Sequence, residues 1–336
     1  MTLGAMVLAP AAARAQSESP LIIADGGSSV GLPARGLASY QLAVSHGADL
    51  LWVELGVTSE GTLIARPGRE LGATTDVVRR PEFAARHKTK SIEGGPVTGW
   101  FAEDFTLAEL KSLGGLDVAV DRSRSQRAEV PGFILTVQEV IDVARAGSIR
   151  AGRVVGVYAD MANPSYFASI DLPLEPRLAA TIRANGYNSP AAALFVSASE
   201  VGALETLAKL TQARRVQRLE ALGGPYDTSG VTYAEMTQAR GLAGVRAYSS
   251  AIAPAAEMLL AGSGGAFPRA AAPLVVAAHA TGLAVHANLA DDRGEDRRML
   301  ETLFLAGVDG VICRRPSDAV TARKEAMRRV RGDRWF

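Results

Sequence analysis

Short apolar runs rich in Val, Ile and Leu recur along the 336 residues, each followed by a stretch with apolar residues at three- and four-residue spacing. The runs are Leu21–Asp25, Leu50–Leu55, Val154–Asp160, Leu194–Ser197, Val216–Glu220, Tyr248–Ala253, Leu283–Ala287 and Gly310–Cys313. Runs of this length, bounded by turn residues, fit strands buried on both faces, and the wider spacing fits amphipathic helices. Helices are expected near 36–47, 137–147, 174–186, 200–211, 235–246, 269–281, 296–306 and 317–330, with Gly186, Gly282 and Gly307 where helix-terminating glycines belong. Length alone would allow about two domains of ~150 residues. Eight strand-helix units in one chain instead predict an α/β fold of the (β/α)8 barrel type.

One stretch breaks the rhythm. Residues 68–133 are polar, Arg-rich and Gly-containing, with a single clear helical piece at 106–113. They read as an insertion after the second strand, at the barrel end where ligands bind. Residues 1–15, MTLGAMVLAPAAARA, form a small apolar run closed by Ala13-Arg14-Ala15 before Gln16, the small-x-small pattern of a signal peptidase site, although no basic residue precedes the run. The expectation is an exported, periplasmic chain. Ala270–Ala290 carries no Asp, Glu, Lys or Arg, yet Pro273, His279, Gly282, His286 and Asn288 interrupt it. It reads as a buried helix, a turn and a strand, and no transmembrane span is expected.

With 36 Lys+Arg against 35 Asp+Glu the net charge is +1, which leaves no field for capturing nucleic acid or an anionic membrane. The single cysteine, Cys313, excludes an internal disulfide and a Cys-cluster metal site. Gly-x-Ser-x-Gly, Walker and Rossmann glycine signatures are all missing.

Barrel chemistry lies at the carboxyl ends of strands. The first run ends in Asp25, the second delivers Glu54 with Arg66 following, and the third ends in Asp160; later runs offer Glu220, Ser249 or Ser250, His286, and Arg314-Arg315. Three carboxylates from adjacent strands converge at a cost unless something cationic neutralises them. Asp25, Glu54 and Asp160 are therefore candidate ligands for a divalent cation, Ca²⁺ or Mg²⁺; the alternative is salt bridging to Arg35, Arg66 or Arg314. Of the four histidines, His46 and His279 fall on helices and His87 in a basic stretch, which leaves His286 near the mouth, as a ligand contact or a satisfied core group.

The stretch LPARGLASYQLAVSHGADLLWVELGVTSEGTLIARPGRELGATTDV resembles the first two strand units of the glycerophosphodiester phosphodiesterase family. VVGVYADMANPSYFASIDLPLE, AHATGLAVHANL and AGVDGVICRRPSD are similar to later segments of its periplasmic branch, so the resemblance covers nearly the whole mature chain. It implies a (β/α)8 barrel with a small insertion, and an activity that splits glycerophosphodiesters into glycerol 3-phosphate and an alcohol with a histidine pair and a carboxylate-bound cation. The motif positions differ here. The strand-one His-Arg-Gly reads Asp25-Gly26-Gly27, the His-Asp after strand two reads Pro67-Gly68, and the Glu-x-Asp pair reads Trp52-Val53-Glu54. The loop Glu-Asn-Thr reads Ala34-Arg35-Gly36 and the strand-three Glu-x-Lys reads Asp160-Met161-Ala162.

With the histidine pair replaced by Asp25 and Pro67, the sequence reads as a pseudoenzyme that binds a small anionic, phosphorylated or polyol ligand, or a protein partner. Arg35, Arg66, His286 and Arg314 are its candidate ligand contacts, because arginines clasp phosphate bidentately. The competing reading is an active metal-dependent phosphoric diester hydrolase in which Asp25, Glu54 and Asp160 hold a cation that activates water.

Overall fold

The computed structural model describes residues 19–28, 32, 34–66, 68–116, 133–260, 272–289 and 296–332. Residues 1–15, Pro67 and residues 117–132 of the 68–133 stretch lie outside these. The strands are β1 (Leu21–Asp25), β2 (Leu50–Val57), β3 (Leu63–Ala65), β4 (Lys88–Ile92), β5 (Gly95–Gly99), β6 (Gly156–Asp160), β7 (Leu194–Ala198), β8 (Arg214–Leu219), β9 (Ala251–Pro254), β10 (Ala284–Asn288) and β11 (Gly310–Cys313). Eight of them, β1, β2 and β6 to β11, pair in parallel, and β1 meets both β11 and β2 to close the ring. All eight expected runs are barrel strands, and the (β/α)8 expectation holds.

Side chains alternate inward and outward along each strand. Inward-facing Ile23, Leu50, Trp52, Tyr158, Phe195, Val216, Ala251, Ala253 and Ile312 fill the barrel. Their outward neighbours, such as Ala24, Leu51, Val53, Val157 and Val196, pack under the surrounding helices. Each strand is thus buried on both faces, which is why its sequence reads as a continuous apolar run.

Several boundaries differ from the periodicity. The second run continues to Val57, because its last residues pair antiparallel with β3, Leu55 opposite Ala65 and Val57 opposite Leu63. The helix expected at 235–246 is two helices, Tyr233–Met236 and Ala239–Arg246. A capping box between Thr232 and Glu235 starts the first, and Gly241 lets the second pack so closely that an added Cβ would lie 2.3 Å from the Glu235 carbonyl oxygen. The helix expected at 269–281 is described as Pro273–Ala280, and Ala256–Leu260 adds a helix that the spacing does not announce. Among the described residues no helix is long and apolar enough to cross a membrane.

The stretch after β3 holds more structure than its one expected helix, found at Leu107–Lys111: 3-10 turns at Asp76–Arg79, Pro81–Arg86 and Ala102–Asp104, and a hairpin of β4 and β5. Phe83, Phe105, Leu110, Leu113 and Phe133 give it a core of its own. It is tied to the mouth end of the barrel. Tyr166, after β6, donates its hydroxyl to Glu103 at 2.5 Å, Lys90 Nζ lies 2.7 Å from the same carboxylate, and the Ser59 N–H after β2 donates to the Phe105 carbonyl.

The turn out of β1 depends on Gly27. Its φ of +91° is left-handed, and a Cβ there would sit 2.5 Å from the Ser39 carbonyl carbon of the helix Leu37–Ser45. Gly152 is also left-handed, at +61°, but a Cβ there meets nothing within 4 Å. Gly27→Ala should therefore lower the unfolding free energy by roughly 3 kcal/mol or more, backbone strain plus displaced helix, and Gly152→Ala by about 1 kcal/mol. Urea denaturation of the two variants measures both; equal losses would contradict close packing of that helix on the turn.

Candidate functional site

The topmost inward positions of the strands carry the chemistry. Asp25 ends β1, Glu54 lies within β2 directly opposite Asp160 of β6, and Asp160 lies opposite Ser197 of β7. The antiparallel return of β3 brings Arg66 beside Glu54: its N–H donates to the Glu54 carbonyl at 2.8 Å, and Gly56, where a Cβ would come 3.0 Å from Arg66 Cβ, leaves room for the arginine stem.

Every one of the three carboxylates meets arginine. Glu54 accepts from Arg66 Nε at 2.9 Å and Nη2 at 2.5 Å on one oxygen, and from Arg35 Nη2 at 3.2 Å on the other. Asp160, 1% exposed, accepts from Arg218 Nη1 at 2.6 Å and from the Ser197 hydroxyl at 2.6 Å. Asp25 faces Arg35 at 3.7 Å and Arg314 Nε at 3.4 Å. Arg218 also binds Glu220 at 2.7 Å, and Arg66 reaches the side-chain oxygen of Asn163 at 3.3 Å.

Burial and pairing pull against each other here. Burial pushes the Glu54 carboxyl upward, but Arg66 and Arg35 outweigh it and leave the group below the usual carboxylate range. For Asp160 burial wins over Arg218 and Ser197, and nearby Glu54 adds to the rise. Arg35 and Arg218 would lose basicity by burial; Asp25 and Glu54 around the first, and Asp160 and Glu220 around the second, hold both above the ordinary arginine value.

Asp25, Glu54, Asp160, Arg35, Arg66 and Arg314 are thus brought to one end of the barrel. His286 is not part of that layer. It lies one inward position below Asn288 on β10, is 1% exposed and shares a 3.2 Å hydrogen bond with the Tyr158 hydroxyl. Trp52 stacks on Tyr158 at 5.0 Å, and Phe195 meets His286 edge-on at 5.1 Å, so these four rings form a floor beneath the charges. The other histidines are also engaged away from the layer: His46 with Ser28, His87 against Trp100, His279 with Asp309.

Arg218, Ser197 and Asn163 also belong to the layer, beyond the residues expected from the strand ends. The signal for Arg218 is the alternation along β8, where inward Val216 puts residue 218 inward too. The cation expectation also changes. Among the described residues no three His, Cys, Asp or Glu side chains are grouped so as to hold a metal ion. Both oxygens of Glu54 and of Asp160 are taken by neutralising or hydrogen-bonding partners, so this donor set does not fit a divalent cation.

The model of the glycerophosphoryl diester phosphodiesterase family matches residues 27–317. The chain belongs to that family. Glycerophosphodiester phosphodiesterase GDPD6 of Arabidopsis thaliana is 28% identical over 251 residues, 71% of this chain and 66% of that relative's length; GDPDL1 of the same plant is 34% identical over 127 residues, 16% of its length. The chain therefore spans less than two thirds of these relatives. Among solved structures, a glycerophosphodiester phosphodiesterase from Agrobacterium tumefaciens superposes with a TM-score of 0.59 at 16% identity, covering 90% of this chain and 99% of that one. An Oleispira antarctica phosphodiesterase in complex with its product sn-glycerol-3-phosphate gives 0.59 at 18% identity, over 90% and 96%. Both share the barrel of this glycerophosphoryl diester phosphodiesterase family member.

Burial of the neutral ring lowers the His286 pKa to about 4, from 6.5 when unfolded. The folded state then binds fewer protons than the unfolded chain between those values, and stability falls as pH drops from 6.5 toward 4. His286→Gln, which keeps a partner for Tyr158, should remove about 2 kcal/mol of the stability difference between pH 7 and pH 4.5. Urea denaturation at the two pH values tests this; an unchanged difference would place the histidine in contact with water.

Proposed function

We propose that this protein is a catalytically impaired member of the glycerophosphoryl diester phosphodiesterase family, whose barrel mouth binds a phosphorylated or polyol ligand. The observation that carries the reading is the commitment of all four histidines outside the charged layer, where Asp25 occupies the strand-one end between Arg35 and Arg314. Proton transfer to a leaving alcohol falls most readily to a histidine, which titrates near neutral pH, and none stands in this layer. Losing each member of an acid-base pair costs about 10²–10⁴ in rate.

The ligand class follows from the arginines and from the Oleispira antarctica relative, whose structure holds sn-glycerol-3-phosphate. Arg66 and Arg314 bring planar, multi-donor groups suited to a phosphate, at the end of the barrel where ligands bind. Ligand contacts are assigned to Arg35, Arg66 and Arg314; His286 serves the floor beneath them. A protein partner at the same mouth is the alternative occupant. Export belongs to the same proposal, on the Ala13-Arg14-Ala15 pattern, and N-terminal sequencing of the purified protein should then read from Gln16.

The full mature chain is expected to release no glycerol 3-phosphate from glycerophosphocholine above background, with or without Ca²⁺ or Mg²⁺. Glycerol 3-phosphate itself, at about 100 times its Kd, should stabilise the protein by ~2.7 kcal/mol in a thermal scan, and Arg314→Ala should diminish that gain. Turnover that Asp25→Ala abolishes would overturn the pseudoenzyme reading in favour of an active phosphodiesterase. No stabilisation by glycerol 3-phosphate or inorganic phosphate would remove the ligand reading and leave the protein partner.

A further inference from the structure

We infer that guanidinium groups have taken over the neutralising role of a cation at this mouth, so that the native chain binds no divalent metal there and the removal of Arg35 creates a site that does. The inference rests on the donor geometry and not on the identity of any ligand. Glu54, Asp160 and Asp25 together offer six carboxylate oxygens, and each faces a partner, with Arg35 shared: Arg66 and Arg35 on Glu54, Arg218 and Ser197 on Asp160, Arg35 and Arg314 on Asp25. Calcium and magnesium are held by such oxygens. A metal could enter only by displacing arginines whose charge would then repel it.

Arg35 is the bridging member. One of its nitrogens, Nη2, faces both Asp25 at 3.7 Å and Glu54 at 3.2 Å, so a single cationic group joins carboxylates from two neighbouring strands. Its backbone is unusual as well. Arg35 has a φ of +69°, a left-handed conformation costly for a residue with a side chain, and its N–H donates to the Gly26 carbonyl at 2.6 Å. The turn is therefore built to send this side chain back over the strand ends. Gly26 supports that course, since a Cβ on it would come 3.0 Å from Arg35 Cγ. Among the described residues these ion pairs are also balanced in charge: Arg35, Arg66, Arg218 and Arg314 face Asp25, Glu54, Asp160 and Glu220. Taking out Arg35 leaves one negative charge in excess, with oxygens of Asp25 and Glu54 released toward each other.

Isothermal titration with CaCl₂ and MgCl₂, alongside thermal scans in the same salts, tests this on the full mature chain. The wild type should show no saturable heat and no rise in Tm. Arg35→Ala should bind Ca²⁺ with a Kd on the order of 10⁻³ M or tighter, and adding Glu54→Gln should abolish the gain. Should Arg35→Ala fail to fold by circular dichroism, Arg35→Gln removes the same charge with a side chain of similar reach. Saturable Ca²⁺ binding by the wild type that Glu54→Gln removes would overturn the inference, and so would a folded Arg35 variant that takes up no Ca²⁺. Neither result bears on the pseudoenzyme reading: a metal-binding wild type without turnover defeats this inference alone, and turnover in metal-free buffer defeats that reading alone.

Discussion

The pairing of Asp160 with Arg218 is the interaction on which the mouth depends. Asp160 is fully enclosed at the end of β6, directly across from Glu54, so two like charges occupy neighbouring strand ends in a poorly solvated layer. Burial alone would protonate such a group or drive it from the site. The 2.6 Å contact with Arg218, backed by the Ser197 hydroxyl, opposes that effect without outweighing it. At Glu54 the pairing with Arg66 and Arg35 does outweigh burial. Charge placed by barrel geometry thus has to be cancelled by side chains from other strands, and arginine does this because its fork can serve two acceptors at once.

The scaffold beneath supplies the rigidity that such pairing requires. The stacked rings of Trp52 and Tyr158, with Phe195 and His286 beside them, fill the barrel below the charges, so the polar layer rests on a buried aromatic base. Trp52 stands where the family resemblance expects the first carboxylate of a pair. A side chain that could have carried charge instead packs the floor. The stretch after β3 meets the barrel rim through the Tyr166–Glu103 hydrogen bond and the Ser59 N–H on the Phe105 carbonyl.

The barrel was legible in the sequence because each of its strands is buried on both faces, and a doubly buried strand has to be an uninterrupted apolar run. The hairpin of β4 and β5 was not legible. Lys88-Thr89-Lys90-Ser91-Ile92 and Gly95-Pro96-Val97-Thr98-Gly99 expose most of their side chains, and hydrogen bonds such as Thr89 to Thr98 leave no periodic apolar trace. At the site, Asp25, Glu54 and Asp160 could be named from strand ends alone, but their partners could not all be. Arg35 and Arg66 flank the motifs in sequence. Arg218 comes 58 residues further along the chain, and the parallel order β6, β7, β8 with its inward register is what brings it to Asp160. For His286 the sequence left a ligand contact and a satisfied core group both open, because alternation tells which side of a strand a residue faces, not how deep it lies; one inward step below Asn288 puts it in the floor.

The central claim is that these buried ion pairs, formed within the chain, are the neutralising element of the mouth. A double-mutant cycle on Asp160→Asn and Arg218→Met, read by urea denaturation at pH 7, addresses it most directly. Removing one partner leaves the other charge unmatched and should cost about 3–5 kcal/mol for the buried carboxylate side. The double variant should be less destabilised than the sum of the single ones, with a coupling of about 2 kcal/mol. Additivity to within about 0.5 kcal/mol would show that the two side chains do not sustain each other and would contradict the account.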